Sequence, residues 1–363
     1  MKTYPVPMVP GPVKVPREIL HCYLTNFGSA DLEPEFLDLY KQTEENLQVI
    51  FNTSNKIAIM TGEGMLALWS AMKSTLLPGD RVLAVATGLF GYGVGDMARS
   101  IGAEVRTVGF DYDTTLSDWD TIEQAIIEFK PKMITAIHCE TPSGTLYPIG
   151  PLGALKKKHA VPLLYVDAVA SLGGAPVMTD DWQVDLMLGG TQKVLSVPPN
   201  LSMVAVSDSA WEIIEQVNYA GYDALKPFKT AVEDAYFPYT PYWQGIAALN
   251  MGTVLLLEEG LENSYARHEA VAYYCRERIN AIEQQIYPAA GAISSPTVTA
   301  VKVPPGISWK EFDSRLRQHG LVVGGNYGPL ADKVFRLGHM GTQADWELVA
   351  KALDIVEAVC KEI

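Results

Sequence analysis

The sequence predicts an α/β protein built on a mainly parallel sheet. Between residue 56 and about residue 207, seven short β-rich runs alternate with segments of helical periodicity. The runs are KIAIM, VLAVA, AEVRTV, MITAIH, PLLYVD, DLMLGG and SMVAV. Because successive parallel strands need long crossover connections, usually helices, this alternation favours a seven-stranded sheet that is covered by helices on both faces.

One amphipathic helix is expected before the sheet. Residues recur there at steps of three and four, at Phe36, Leu39, Tyr40, Thr43, Leu47 and Ile50. Asp31 and Pro34 come just before them and are residue types that begin helices. We expect this helix to pack its apolar face on the sheet.

The pattern changes after about residue 250, where helices and strands no longer alternate regularly. A long helix is expected to present one apolar face, formed by Ala272, Cys275, Ile279, Ile282 and Ile286. The strand-like run TVTAVKV follows, and capping boxes then open two helices, at Ser308 with Glu311 and at Thr342 with Asp345. We expect a large domain over residues 18–250 and a smaller α+β domain formed by residues 1–17 and 251–363.

Charge and residue spacing exclude several classes of protein. The 28 basic and 42 acidic residues give a formal net charge of -14, which disfavours nucleic acid and anionic membranes as partners. No apolar stretch is long enough for a signal peptide or a membrane span, and the four cysteines lie far apart, so we expect a cytoplasmic protein with reduced thiols. The six histidines show no HxH or HxxxH spacing, so no local metal site is expected.

Two reactive side chains end neighbouring strand-like runs. Asp167 ends the run LLYVD, and Lys193 follows Gly189 and Gly190 at the end of the next run. In open α/β sheets, ligands bind at the carboxyl ends of the strands. A carboxylate and an amine at adjacent strand ends suit a cofactor that needs a covalent amine handle and an anion beside a pyridine nitrogen. Alone, the aspartate could be a helix cap and the lysine a surface charge, so this inference depends on the pair.

Several motifs in the same order resemble those of the class V, fold-type I aminotransferases that use pyridoxal phosphate. They are PGPVKVP near the start, GEG at 62–64, TGLFG at 87–91, ETPSGT at 140–145, VDAVASLGG at 166–174, GGTQK at 189–193, FPYTP at 237–241 and RLGHMG at 336–341. The resemblance covers nearly the whole chain. It is strongest to the alanine:glyoxylate group and to its relatives, the pyridoxamine:pyruvate aminotransferases.

The resemblance implies a role for five residues. Lys193 matches the lysine that forms the Schiff base and then moves the proton, and Asp167 matches the partner of the pyridine nitrogen. Phe90 falls where an aromatic ring stacks on the pyridine, and Thr141 falls near the phenolate oxygen. Arg336 matches the guanidinium that binds the substrate carboxylate, and its apolar neighbours favour a buried anion there.

The loop Gly62-Glu63-Gly64 departs from the alanine:glyoxylate pattern. It should bind the cofactor phosphate at a helix N-terminus, yet Glu63 stands where that pattern has a small hydroxyl residue. A carboxylate there repels phosphate and accepts a hydrogen bond from a hydroxymethyl group, as in the pyridoxamine:pyruvate enzymes, which resemble this chain in having Glu there. The alternative is that Glu63 turns away, to pair with a cation or to cap its own helix, which leaves an ordinary phosphate site.

Three further residues of the expected site follow from the resemblance. Gln192 keeps the phosphate-compatible amide of the alanine:glyoxylate group, and Thr240 of the FPYTP motif adds a cofactor-binding hydroxyl. Tyr327 stands where the pyridoxamine enzymes have a second substrate-binding arginine, so it is a candidate substrate contact.

The sequence therefore predicts a homodimeric aminotransferase that acts on small molecules, with pyruvate or glyoxylate as acceptor. The specific prediction is conversion of pyridoxamine and pyruvate into pyridoxal and L-alanine, with the unphosphorylated vitamer bound as substrate. The alternative is a conventional alanine or serine:glyoxylate (or pyruvate) aminotransferase that carries pyridoxal 5'-phosphate on Lys193. A non-catalytic binding protein on the same fold is the remote alternative, against which Lys193, Asp167 and Arg336 together argue.

Overall fold

The computed structural model of the chain describes residues 3–363. In this range the helices are α1 (Arg17–Cys22), α2 (Pro34–Phe51), α3 (Gly64–Thr75), α4 (Leu89–Ser100), α5 (Trp119–Phe129), α6 (Gly150–Lys158), α7 (Asp208–Val217), α8 (Trp243–Glu259), α9 (Leu261–Ala281), α10 (Trp309–Gln318) and α11 (Trp346–Cys360). The strands are β1 (Val6–Met8), β2 (Lys56–Thr61), β3 (Arg81–Ala86), β4 (Glu104–Gly109), β5 (Met133–Ile137), β6 (Cys139–Glu140), β7 (Thr145–Leu146), β8 (Leu163–Asp167), β9 (Leu186–Gly190), β10 (Leu201–Val206), β11 (Val298–Lys302), β12 (Leu321–Val323) and β13 (Val334–Gly338).

The seven predicted strands form one central sheet in the order β2, β10, β9, β8, β5, β3, β4. The pairs from β9 through β8, β5 and β3 to β4 are parallel, whereas β10 is antiparallel to both β2 and β9. The predicted α/β class and mainly parallel sheet are thereby confirmed. The segment 191–200 contains no helix, so it turns the chain back on itself and β10 runs against its neighbours.

Burial explains why these runs form strands. Every residue of β5, β8 and β9 is buried, as expected for strands that are covered on both faces. The predicted helix before the sheet is α2, and its buried residues include Phe36, Tyr40, Leu47 and Ile50. It begins at Pro34 without a side-chain cap, and Asp31 lies outside it.

A second core cluster lies among the C-terminal elements. Strand β11 pairs antiparallel with β13, and β1 near the N-terminus pairs in parallel with β12. Val6 and Met8 of β1 pack in the same cluster as Val271, Phe335 and Val356. The N-terminal segment thus belongs to this cluster, while the domain boundaries at residues 17 and 250 stay a prediction.

Two details of the sequence analysis were wrong. Helix α9 ends at Ala281, so Ile282 and Ile286 lie beyond it, because Glu283 takes a left-handed φ of 56° that stops the helix. Helix α11 is capped by Asp345, which accepts the Leu348 amide at 2.8 Å. Thr342 lies in a preceding short turn and does not open the helix. The predicted cap at Ser308 is confirmed, since its hydroxyl accepts the Glu311 amide at 3.2 Å.

Candidate active site

A cavity of about 180 Å³ lies where strands of the central sheet reach their carboxyl ends. Its lining residues come from the segments that follow β2, β3, β5, β8 and β9, and they are Glu63, Gly64, Met65, Leu68, Phe90, Cys139, Thr141, Asp167, Val169, Ala170, Gln192 and Lys193. Most of the predicted site residues are therefore brought together here. A larger concavity of about 570 Å³, lined by Asp80, Lys132 and His159 among others, lies at the opposite ends of the strands and contains none of them.

Asp167 is the last residue of β8, and its side chain is buried in the cavity wall. Its Oδ1 accepts the amide of Val169 at 2.8 Å. Burial raises the pKa of Asp167 to about 6, although the Val169 amide and the charge of Lys193 act to lower it. The carboxylate is therefore available at neutral pH as an anion for a cationic partner.

Lys193 lies just beyond the end of β9, on the same edge of the sheet as Asp167. Burial first, and the positive charge of Arg336 second, lower the pKa of this lysine to about 8. Its Nζ donates a hydrogen bond to the carbonyl oxygen of Pro10, which arrives from the N-terminal segment. An amine with a pKa near 8 is neutral often enough at pH 7 to act as a nucleophile and a base.

The N-terminus of α3 forms another wall of the cavity. Gly62 follows β2 with a left-handed φ of +150°, and Gly64 is the first helical residue. Glu63 caps the helix, since its Oε1 accepts the amide of Met65 at 3.0 Å. Its Oε2 accepts a hydrogen bond from Nε2 of Gln192 at 3.1 Å. Glu63 thus caps its own helix and still lines the cavity.

One polar atom beside this carboxylate lacks a partner. Among residues 3–363, the buried Oε1 of Gln192 makes no hydrogen bond. An orphaned acceptor in a binding cavity favours a ligand that carries a donor at that point.

A buried carboxyl group that the sequence analysis did not single out holds the segment that carries Phe90, and it directly precedes Thr141. Glu140 is completely buried, and its oxygens accept the amides of Gly91 at 2.7 Å and Phe90 at 3.2 Å. Burial raises the pKa of Glu140 to about 8, although the hydrogen bonds from those two amides act to lower it. The signal in the sequence was a carboxylate that directly follows the apolar run MITAIHC.

Arg336 lies in the middle of β13 and is only 5% exposed. Within the described residues its hydrogen bonds go to neutral acceptors, the Gly325 carbonyl at 2.5 and 2.8 Å and the Thr141 hydroxyl at 3.4 Å. Burial lowers its pKa, and Tyr327, whose ring centre lies 5.2 Å from the guanidinium carbon, acts in the opposite direction. A buried guanidinium held by neutral groups suits an anionic ligand.

Two of the predicted contacts lie at the surface. Tyr327 is 59% exposed beside Arg336, and Thr240 is exposed in the segment before α8, outside the cavity lining. Within residues 3–363 no group of three or more His, Cys, Asp or Glu side chains could hold a metal ion. In the same part of the chain, none of the helices has the length and apolar character needed to cross a membrane.

Comparison with known proteins gives one family and relatives of several kinds. Residues 13–329 match the family model for class-V aminotransferases. An alanine–glyoxylate aminotransferase of Oryctolagus cuniculus is 32% identical over 94% of this chain and 88% of its own length. A pyridoxamine–pyruvate transaminase of Mesorhizobium japonicum is 31% identical over 93% and 87%. The crystal structure of an alanine–glyoxylate aminotransferase from Nostoc sp. superposes with a TM-score of 0.94 at 29% identity, over 99% of this chain and 96% of that one.

Proposed function

The chain belongs to the class-V aminotransferases, and from that premise we propose that it transfers the amino group of pyridoxamine to pyruvate, giving pyridoxal and L-alanine. Overall identity does not separate this reaction from the alternative, since the alanine–glyoxylate and pyridoxamine–pyruvate relatives are 32% and 31% identical to the chain. The residues at the N-terminus of α3 favour the pyridoxamine reaction over the conventional one.

The observation that supports an unphosphorylated substrate is the position of Glu63. Its carboxylate lines the cavity and already takes the Met65 amide and the Gln192 amide group, two donors that a phosphate would otherwise use. Two like charges about 4 Å apart repel by roughly 4 kcal/mol at an effective dielectric constant near 20, before screening by solvent. A hydroxymethyl group avoids this repulsion and brings one O–H, which Glu63 or the unpaired Oε1 of Gln192 accepts.

The remaining cavity residues fit the pyridine ring of either vitamer. When bound, the ring supplies an electron sink for the change at the amine-bearing carbon. Asp167 provides the anion that keeps the ring nitrogen protonated, and Phe90 provides an aromatic face. Thr141 provides a hydroxyl for the ring oxygen, and Lys193 provides the amine that holds or moves the proton.

Arg336 is the residue proposed to bind the carboxylate of the 2-oxo acid. Its guanidinium is buried and lies at hydrogen-bond distance from Thr141, which lines the cavity. Tyr327 covers the outer face of Arg336. A single buried guanidinium suits an acid with one carboxylate, which favours pyruvate or glyoxylate as acceptor.

The conventional reaction with bound pyridoxal phosphate is the second candidate. Glu63 supports it by capping α3. In this alternative the carboxylate serves as a helix cap, and the phosphate binds in the cavity. Backbone amides at the start of α3 and the Gln192 side chain would then bind the phosphate in place of Glu63. In this case the amino donor is alanine or serine.

A homodimer is part of the proposal. Thr240 belongs to the FPYTP motif, yet it is exposed and does not line the cavity of its own chain. Nearby Tyr236 is 67% exposed, and Tyr222 is 63% exposed and stacks on Tyr239. A second copy that covers this aromatic surface would bring Thr240 to the partner's cavity.

The direct test uses cofactor-free protein with pyridoxamine and pyruvate, and measures pyridoxal and L-alanine. The proposal expects equal amounts of both products and slower reaction with pyridoxamine phosphate. A parallel assay supplies pyridoxal phosphate, alanine or serine, and glyoxylate. Turnover only in the parallel assay would establish the conventional reaction and reject the pyridoxamine one.

A further inference from the structure

The N-terminal residues 9–11, which we name the strap, cross the site between Lys193 and β13. Hydrogen bonds to backbone atoms hold the chain at both ends of the strap. Gln343 donates its side-chain amide to the Val9 carbonyl at 2.8 Å, and just beyond the strap the Val13 amide donates to the Gln192 carbonyl at 3.1 Å.

On one side the strap contacts Lys193. The Pro10 carbonyl accepts the hydrogen bond from the lysine Nζ. Gly11 follows with a left-handed φ of +88°, and a Cβ at this position would lie 2.6 Å from Cδ and 2.8 Å from Nζ of Lys193. The Lys193 side chain therefore occupies the space that a side chain at Gly11 would need.

On the other side the strap packs against the backbone that carries Arg336. A Cβ at Gly338 would lie 2.4 Å from the Pro10 Cα, and one at Gly324 would lie 2.6 Å from the Pro10 Cδ. Gly338 ends the strand that contains Arg336. Gly324 exchanges two backbone hydrogen bonds with Arg336, at 2.7 and 2.9 Å. Two glycines thus admit the proline ring directly beside the arginine.

We propose that the strap is a positioning element that fixes the amine of Lys193 relative to the guanidinium of Arg336. The inference rests on the proposed roles of these two residues, and it is the same for either vitamer. Arg336 places the substrate by its carboxylate, while Lys193 must reach the reacting carbon next to it. Pro10 touches Lys193 through its carbonyl and the backbone around Arg336 through its ring, so one residue sets the separation of the two groups.

The test compares Gly11→Ala with Gly79→Ala. Gly79 has the same φ of +88°, but a Cβ there would have no heavy atom within 4 Å outside its chain neighbours. Both variants therefore carry the same backbone strain, and only Gly11→Ala presses on Lys193. The first readout is the rate at which acetic anhydride labels Lys193 in cofactor-free protein, measured by peptide mass spectrometry. This readout does not depend on which cofactor or substrate the enzyme uses.

We expect Gly11→Ala to raise the labelling rate about fivefold, the change that loss of one ordinary hydrogen bond produces. We also expect it to lower kcat by about 10- to 100-fold, because a displacement of about 1 Å at a reacting group has effects of this size. Gly79→Ala should match the wild type in both measurements. Pro10→Ala removes the ring that packs against Gly324 and adds no bulk, so it loosens the strap and its carbonyl. It tests the strap if Gly11→Ala does not fold, and it should raise labelling in the same direction.

Equal labelling and equal kcat for Gly11→Ala and Gly79→Ala would overturn the proposal. If Gly11→Ala does not fold, labelling of Pro10→Ala at the wild-type rate would overturn it as well. If only the pyridoxamine reaction fails, kcat is measured with the substrates of the conventional reaction instead. The labelling result is unaffected, so failure of one proposal can be told from failure of the other.

Discussion

The site has two halves that use charge differently. At the strand ends, Asp167 and Lys193 have opposite charges, and burial moves their pKa values towards neutrality, to about 6 and about 8. At the helix starts, carboxylates bind backbone amides: Glu63 binds the first turn of α3, and Glu140 binds the first turn of α4. The strand-end half thus suits proton movement, whereas the helix-start half holds the walls of the cavity.

The two helix-start carboxylates also differ from each other. Glu140 belongs to β6 and is completely buried, and both of its carboxylate oxygens accept hydrogen bonds from backbone amides of α4. Glu63 belongs to its own helix, is only partly buried and lines the cavity together with Gln192. Of the two, Glu63 is therefore the one that we expect to contact a ligand. Changes at the strand ends should alter rates, and changes at Glu63 should alter which vitamer binds.

The largest effect is expected from Lys193→Ala. General acid–base groups contribute about 100- to 10,000-fold, so turnover should fall by at least that range. The ratio of affinities for pyridoxal and pyridoxal phosphate should stay as in the wild type, because the helix-start half is unchanged. Steady-state assays and equilibrium titrations measure the two quantities. Lys157→Ala, at an exposed position on α6, is the control. Wild-type turnover in Lys193→Ala would remove this residue from the mechanism.

The next effect is expected from Arg336→Ala, which tests recognition of the other substrate. Loss of a buried charge-assisted pair costs about 2 to 4 kcal/mol. The value of kcat/KM for the 2-oxo acid should therefore fall roughly 30- to 1,000-fold. Arg336→Lys should recover only part of this, since an ammonium lacks the planar fork of a guanidinium. Arg106→Ala, which breaks an ion pair with Glu128 at the surface, is the control. Unchanged kinetics in Arg336→Ala would place the carboxylate elsewhere.

The strand-end half also predicts a pH dependence. With a Lys193 pKa of about 8, the fraction of neutral amine rises about 50-fold between pH 6 and pH 8. The rate at which cofactor-free protein captures pyridoxal, followed by absorbance, should rise accordingly. Because the carboxylate of Asp167 raises the pKa of Lys193, Asp167→Asn should move the midpoint to lower pH. A midpoint near the ordinary lysine value, about 10.4, would contradict the proposed environment of the amine.

Local sequence signals predicted the strand-end half well. The apolar runs before Asp167 and Lys193 form buried strands, and the carboxyl ends of parallel neighbours must lie at one edge. The direction of β10 was not predicted, although the segment 191–200 is free of helical periodicity. Fully buried strands have the same apolar pattern in either direction, so only the connection carries that information.

Long-range packing limits prediction of the rest. The contact of Pro10 with Lys193 joins residues 183 positions apart, and it depends on how the N-terminal segment lies against β13. Neither hydrophobic periodicity nor motif spacing predicts a contact between residues so far apart in the sequence. The identity of Glu63 was informative, but the sequence left open whether its carboxylate caps α3 or lines the cavity. That choice depends on the position of Gln192. In the structure one oxygen of Glu63 caps the helix and the other accepts a hydrogen bond from Gln192 in the cavity.

Competitive titration of pyridoxal and pyridoxal phosphate tests the central claim most directly. The proteins are wild type, Glu63→Ser, and Asp118→Ser as a control that changes a carboxylate cap on α5 outside the cavity. We expect wild type and Asp118→Ser to prefer pyridoxal, and Glu63→Ser to prefer the phosphate. Half of a repulsion near 4 kcal/mol changes the affinity ratio roughly 30-fold. Tighter binding of the phosphate by wild type, with an unchanged ratio in Glu63→Ser, would contradict the account and establish the conventional cofactor.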